Sequence, residues 1–392
     1  MQKKKVLIVV HQLNYGGVQK ALIPALNAID YTKNEVVLYI RKSRLQLLDD
    51  VNENVKQVIV NEDRTHYYRR PYVMYWMFCE QLGKLLGNQM LEEKSHNNIV
   101  SYINEQQMLF EKRNYFKDNE EYDIAISYIQ GYTAQFVAEY VSAKKKVMFY
   151  HGSTDDNHKL HKNVIPQFDE IVGINENVAR MLRKSYPSVA SKVTYITNYV
   201  EDVPIKSHAK AYEIGRENRE WILCTCGRMS SEKGFDLAVE AAKNLKEKGI
   251  SFLWYFVGDG AERAKIENMI ESNGLTANIK ITGMLGNPYP YIAGCDVYVQ
   301  PSYEESFGLT IAEAKILCKP IVSTKTIGGE LQIEHESNGI ITEVSGQAIA
   351  KGILDYIQKP KLKSEVIASL ENIDYSKIYK EYQLKWEQLL GE

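Results

Sequence analysis

The chain has 392 residues, more than one compact core accommodates and comfortable for two domains. Hydrophobic residues make up 44% and charged residues 25%, an ordinary globular composition that argues against disorder and against a membrane-spanning bundle. A formal net charge of −2 supplies no global basic field, which argues against a nucleic-acid partner.

The N-terminus, MQKKKVLIVVHQL, starts basic but offers only five apolar residues before His11, too few for a signal-peptide core and well suited to a first buried strand. VLIVV (6–10) predicts that strand, HQLNYGG a turn, and the pattern from Val18 towards Ile29 a helix. EVVLYI (35–40) and VKQVIV (55–60) predict two more strands, followed by a long helix-rich insert from about Arg64 to Phe116. IAISY, KVMFY, EIVGI and KVTYI then predict strands at 124–128, 146–150, 170–174 and 192–196. Buried runs separated by helices indicate a parallel sheet covered on both faces.

The polar stretch 201–220 lacks sustained periodicity and is expected to connect the domains. Beyond it the alternation restarts, with strands WILCTCG (221–227), FLWYFVG (252–258), IKITG (279–283), DVYVQPS (296–302) and PIVST (320–324). Helices are expected after Lys233, over 261–273 and after Gly308, and YSKIYKEYQLKWEQLL closes the chain as an amphipathic helix. The expectation is α/β: two doubly wound domains, 1–203 and 204–374, facing across a cleft, with helix 375–392 returning to the first. Such folds bind ligands at the carboxyl ends of their strands. The five cysteines (Cys79, Cys224, Cys226, Cys295, Cys318) read as reduced core thiols of a cytoplasmic protein, and no Cys/His spacing suggests zinc.

Several strand ends carry residues suited to ligand chemistry. Gly16 and Gly17 precede a helix, which allows close approach of an anion, though an ordinary glycine turn reads the same way. In CGRMSSEKGFD, Arg228 and Lys233 pair a forked guanidinium with a compact ammonium, as a diphosphate requires. FVGDGAER places Gly258 at another strand end, either a nucleotide-binding turn or a tight turn alone. ITGMLGN offers the backbone of Gly283, Met284 and Leu285 for reading a base edge. In YEESFGLTIAEAKIL, Glu305 precedes a helix opened at Gly308, and Glu313 sits beside Ala312 and Ala314, where a carboxylate must find a partner. A phosphate at that helix start, with hydroxyls on either flank, answers the question of why both carboxylates are there.

These segments together resemble glycosyltransferase family 4, retaining enzymes of the GT-B fold, built from two Rossmann-like domains. The resemblance runs through CGRMSSEKGFD, FVGDGAER, ITGMLGN, CDVYVQPSYEESFGLTIAEAKILCKPIVST and the IGGE…ESNGI tail. It is weaker in the first domain, through YGGVQ, YHGS and YITNYVE; in the last of these the family usually has Asn-Gly-Val-Asp, Tyr199 and Glu201 depart from it, and of that segment only Asn198 carries over. The resemblance implies that Arg228 and Lys233 bind the donor diphosphate, Glu313 the ribose and Glu305 the transferred sugar. It implies further that Ser306 and the amides of Phe307, Gly308 and Leu309 touch phosphate or sugar, and that Gly16 and Gly17 line the diphosphate and acceptor region. His151, in FYHGS, matches a family histidine beside the reacting sugar, although a lone histidine after a strand is commonly structural.

The expected reaction is transfer of a hexosyl group from a UDP-sugar to a lipid-linked or oligosaccharide acceptor, in assembly of bacterial surface polysaccharide or glycoconjugate. No Asp-x-Asp motif is present, so no cofactor and no metal is expected, the cations replacing a divalent ion. Rival readings are a GT-B nucleotide-sugar epimerase or hydrolase and a non-catalytic nucleotide-sugar binding protein. The segment 64–86, with its arginines, tyrosines, Trp76, Phe78 and methionines, reads either as a peripheral contact with the inner face of the membrane or as a helical hairpin packed on the first domain.

Overall fold

The computed structural model describes residues 2–61, 71–116, 121–152 and 158–391. Within it the chain forms two compact units, Met1–Ile196 with Lys385–Glu392, and Thr197–Leu384.

In the first unit seven parallel strands, β1 (Lys4–Val10), β2 (Asn34–Ile40), β3 (Gln57–Val60), β4 (Tyr122–Ser127), β5 (Ala143–Tyr150), β6 (Glu170–Gly173) and β7 (Val193–Tyr195), lie in the order β3-β2-β1-β4-β5-β6-β7. The uninterrupted run VLIVV explains why β1 is central. It pairs with β2 (Val6 opposite Val36) and with β4 (Val6 opposite Ile124), and its side chains are buried on both faces.

The insert is a helical hairpin, Pro71–Leu85 and Gln89–Tyr115, the second helix capped by the Asn88 side chain accepting from the Leu91 amide at 3.1 Å. Val73 is buried and Trp76 packs against Tyr102, whereas Met74, Tyr75, Met77, Phe78, Leu85 and Leu86 are exposed. The arginines expected to flank this face, Arg64, Arg69 and Arg70, lie outside the described residues.

Aromatic packing of Tyr115 and Phe116 on Tyr39 of β2 and a buried charge pair tie the hairpin to the sheet. Arg41, directly after β2, pairs with Glu111 at 3.0 Å, the two side chains 1% and 0% exposed. Asn61 and Gln107 donate to the same carboxylate at 2.9 and 3.0 Å, and Arg41 donates to the Tyr132 carbonyl at 2.9 Å. Such satisfaction is what makes a buried pair tolerable.

The second unit has six parallel strands, β8 (Trp221–Cys226), β9 (Phe252–Val257), β10 (Ile279–Gly283), β11 (Val297–Gln300), β12 (Ile321–Thr324) and β13 (Ile340–Thr342), in the order β10-β9-β8-β11-β12-β13. Alternate residues feed two cores: Leu223, Trp254, Phe256 and Val299 on one face, Ile222, Cys224, Cys226 and Tyr298 on the other. Cys224 and Cys226 therefore share a layer, and all five cysteines are free.

Three expectations need correction. The stretch 201–220 contains a helix, Asp202–His208, which packs on helices Tyr289–Gly294 and Leu309–Ile316. That packing explains why the unit boundary falls after Ile196 and not at 203. The terminal helix Tyr375–Leu390 does not belong wholly to the first unit: only the part from Lys385 does, where Trp386 stacks on Phe149 at 5.3 Å. Among the described residues, no helix is long and apolar enough to cross a membrane.

Candidate functional site

In the second unit the strand order reverses between β8 and β11, and both loops that follow these strands emerge there. The loop after β8 carries Arg228 and Lys233; the loop after β11 carries Glu305 to Gly308. Backbone bonds stitch them together, Tyr303 N–H and Glu304 N–H donating to the Glu232 carbonyl at 2.9 and 3.3 Å. Gly258 serves this junction by its lack of a side chain: a Cβ on it would lie 1.8 Å from the Gly227 carbonyl oxygen. Its place at the site is thus to let β9 close against the β8 loop.

Lys233 Nζ meets Glu305 Oε2 at 2.7 Å, the side chains 22% and 13% exposed. Behind them stands Gln300, a buried amide at the end of β11 that donates to Glu305 Oε2 at 3.5 Å and to Ser302 Oγ at 2.8 Å. Its oxygen accepts from Tyr298 and Thr310 hydroxyls at 2.9 and 2.8 Å. Arg228 is not drawn into this cluster. It is 71% exposed and, among the described residues, its side chain meets only Glu232, at 3.5 Å.

The helix Leu309–Ile316 begins without a capping side chain and without an acidic residue in its first turn. Its cap residue, Gly308, holds φ +82°, which a side chain would strain. An uncapped start leaves backbone N–H groups directed at the loop, an arrangement that suits an anion. Phe307 is buried. Helix Ile327–Gln332 braces the loop from behind: Gln332 Nε2 donates to the Gly308 carbonyl at 2.9 Å, and Gly328 N–H to the Glu305 carbonyl at 2.7 Å.

Glu313 is 1% exposed and accepts from the Tyr289 hydroxyl at 3.4 Å. Of the β10 loop, Met284 faces solvent and Leu285 packs on the core. Ser306 and Leu309 are half-buried in the β11 loop and at the helix start. Asn198 belongs to the second unit, and no hydrogen bond among the described residues joins it to the Lys233–Glu305 pair.

Gly16, Gly17 and His151 belong to the first unit. Gly16 caps helix Gly17–Asn27, again with no side-chain cap. His151 follows β5, its backbone N–H donating to Gln130 Oε1 at 3.0 Å and its ring 5.2 Å from that of Tyr128. Burial pushes its pKa down to about 4, opposed by a hydrogen bond to the Tyr128 backbone, so the imidazole is neutral at pH 7. It can offer a lone pair or an N–H to a reacting group, but not a positive charge. Gln300, Gln332 and Tyr289 were not singled out by sequence reasoning. Only Gln300 left a signal, a polar residue ending an otherwise apolar strand run.

Residues 209–371 match the family described as glycosyl transferases group 1. The chain is similar to a 2-deoxystreptamine N-acetyl-D-glucosaminyltransferase of Niallia circulans, 29% identical over 43% of this chain and 42% of that protein. It is also similar to the lipopolysaccharide core biosynthesis glycosyltransferase LpsE of Rhizobium meliloti, 26% identical over 37% of this chain and 42% of that one. The match therefore spans well under two thirds of these relatives' own length. Over its whole length the fold is that of the Anabaena HepE protein solved with UDP-glucose, with TM-score 0.71, 16% identity and 99% of each chain covered. The fold is GT-B.

Proposed function

We propose that this chain, whose residues 209–371 match the family described as glycosyl transferases group 1, is a retaining glycosyltransferase. It moves a hexosyl group from a UDP-sugar to a lipid-linked or oligosaccharide acceptor during assembly of a surface polysaccharide or glycoconjugate. The observation that carries the reading is the Lys233–Glu305 pair, 2.7 Å apart, beside an uncapped helix start at the strand-order reversal of the second sheet. The names of the relatives and the UDP-glucose complex of HepE support the donor class.

In this reading the diphosphate lies on the amides of Phe307, Gly308 and Leu309, with Arg228 closing on it from solvent and Lys233 shared between phosphate and Glu305. Glu305 accepts from hydroxyls of the sugar; Glu313 and Tyr289 hold the ribose. As the glycosidic bond breaks, negative charge collects on the departing UDP, and fixed cations and amides stabilise it without a divalent ion. The two carboxylates bind hydroxyls and do not form an acid and nucleophile pair, so the acceptor attacks the face the nucleotide leaves. Neutral His151 assists with its ring nitrogen. Contact with the cytoplasmic face of the membrane is made by the exposed Met74, Tyr75, Phe78 and Leu85 of the hairpin.

The test is UDP release from UDP-glucose and UDP-N-acetylglucosamine, with and without lipid-linked or oligosaccharide acceptors, in the presence of EDTA. Acceptor-dependent release is expected. Release without acceptor would instead fit a hydrolase or epimerase, binding without release a nucleotide-sugar sensor, and loss of activity in EDTA would remove the metal-free mechanism.

A further inference from the structure

The loop after β11 rests on a buried amide that takes no part in the donor contacts above. The run DVYVQPS ends its strand with Gln300, 2% exposed, where an apolar residue would need no partner. A primary amide offers two N–H donors and two lone pairs, and here all four are met. The oxygen accepts from the Tyr298 and Thr310 hydroxyls at 2.9 and 2.8 Å. The nitrogen donates to Ser302 Oγ at 2.8 Å and, in a longer bond, to Glu305 Oε2 at 3.5 Å. A carboxylate only accepts, so the nitrogen must face Glu305 and the amide cannot turn over. One side chain thus joins the strand, the loop and the helix start.

Glu305 is held along its whole length. A Cβ on Gly308 would lie 3.2 Å from its Cγ and one on Gly328 2.9 Å, so two glycines leave the space that its stem fills. At its end the two oxygens are treated differently. Lys233 and Gln300 both donate to Oε2, whereas Oε1 accepts from no group among the described residues. The two donors are not equivalent. Lys233 comes from the β8 loop on a flexible stem, and a bound diphosphate would share its ammonium. Gln300 is buried and fully engaged, so it keeps its hold on Oε2 when phosphate draws on the lysine.

We infer that Gln300 is a positioning residue: it holds the Glu305 carboxylate by Oε2 and so presents Oε1 to a hydroxyl of the transferred sugar. To the donor reading, on which it rests, this adds the oxygen that meets the sugar and the buried side chain that sets it.

The experiment titrates UDP, UDP-glucose and UDP-N-acetylglucosamine into the full chain by calorimetry, with Glu305→Gln as the reference for loss of the sugar contact. Gln300→Met keeps the volume and leaves the Tyr298 hydroxyl its second acceptor, the Cys226 carbonyl at 3.4 Å. It is expected to bind the UDP-sugar that the wild type prefers about fivefold more weakly or worse, with UDP affinity held within about twofold. Gln300→Glu should show the same loss near pH 8 and recover it near pH 5.5, each judged against wild type at that pH. A second carboxyl beside Glu305 takes up a proton there and donates in the amide's place. A structural fault alone would weaken UDP and UDP-sugar alike and would not respond to pH. Equal UDP-sugar affinity in Gln300→Met and wild type, while Glu305→Gln loses it, overturns the inference and leaves the donor reading standing. A parallel loss of UDP and UDP-sugar in both variants also overturns it. If Gln300→Met does not fold, the pH response of Gln300→Glu decides alone. If Glu305→Gln loses nothing, the assignment of Glu305 to the sugar falls and takes the inference with it; if wild type does not bind UDP, the donor reading itself falls.

Discussion

Replacing Lys233 by alanine separates a donor site from a merely structural ion pair. The ammonium sits 2.7 Å from Glu305 Oε2 with both groups mostly shielded. Exposed pairs contribute up to about 1 kcal/mol, and removing one partner of a fully buried pair costs ~3–5 kcal/mol. For this partly exposed pair, with Gln300 still donating to the carboxylate, a loss of about 1–2 kcal/mol of stability follows. Binding of UDP-sugar loses a charge-assisted hydrogen bond to phosphate, about 1.5–3 kcal/mol, hence roughly 10- to 100-fold in affinity. Urea unfolding with and without UDP measures both effects on one protein. Glu305→Gln and the double variant complete a cycle in which stability terms couple, while the large loss for UDP accompanies Lys233→Ala, alone or in the double variant, and not Glu305→Gln alone. If Lys233→Ala lowers stability as expected yet changes UDP affinity less than about threefold, the lysine is a strut and the donor reasoning is wrong.

Tyr289→Phe removes the hydroxyl that donates to Glu313, and should weaken UDP about 3- to 10-fold while shifting stability by less than about 1 kcal/mol, read by calorimetry and urea unfolding. Glu111→Ala strands Arg41 in the core and should cost ~3–5 kcal/mol, with Glu111→Gln milder, both measured by urea unfolding. Acid should destabilise the first unit through His11 and His151, whose folded pKa values of about 4 lie below the unfolded 6.5. Between those values the unfolded chain binds more protons, so stability falls as pH drops from 6.5 towards 4, by at most ~1.4 kcal/mol per pH unit for each histidine. His151→Gln and His11→Gln should each flatten that slope in urea titrations across the range.

The alternation of strands and helices was legible because fully buried strands leave unbroken apolar runs, as VLIVV and FLWYFV do. The candidate site was legible in outline, since Lys233, Glu305 and Gly308 each follow such a run. The supporting contacts were not. Tyr289 reaches Glu313 across 24 positions and Gln332 reaches Gly308 across 24, and local periodicity holds no record of such pairings. Helix Asp202–His208 escaped because one buried residue, Ile205, makes no pattern. Strand β13 escaped because three residues are too few to show a period. The orientation of Arg228 towards solvent could not be read either, because a loop arginine looks the same in sequence whether paired or swung out.

The Arg41–Glu111 contact has a consequence for descent. Losing either partner first strands an ion in the interior at a cost of ~3–5 kcal/mol, so single steps away from the pair are strongly disfavoured. Related chains that carry the hairpin should therefore retain both residues or have exchanged both for an apolar couple, and a chain that keeps Arg41 alone should have shed the hairpin.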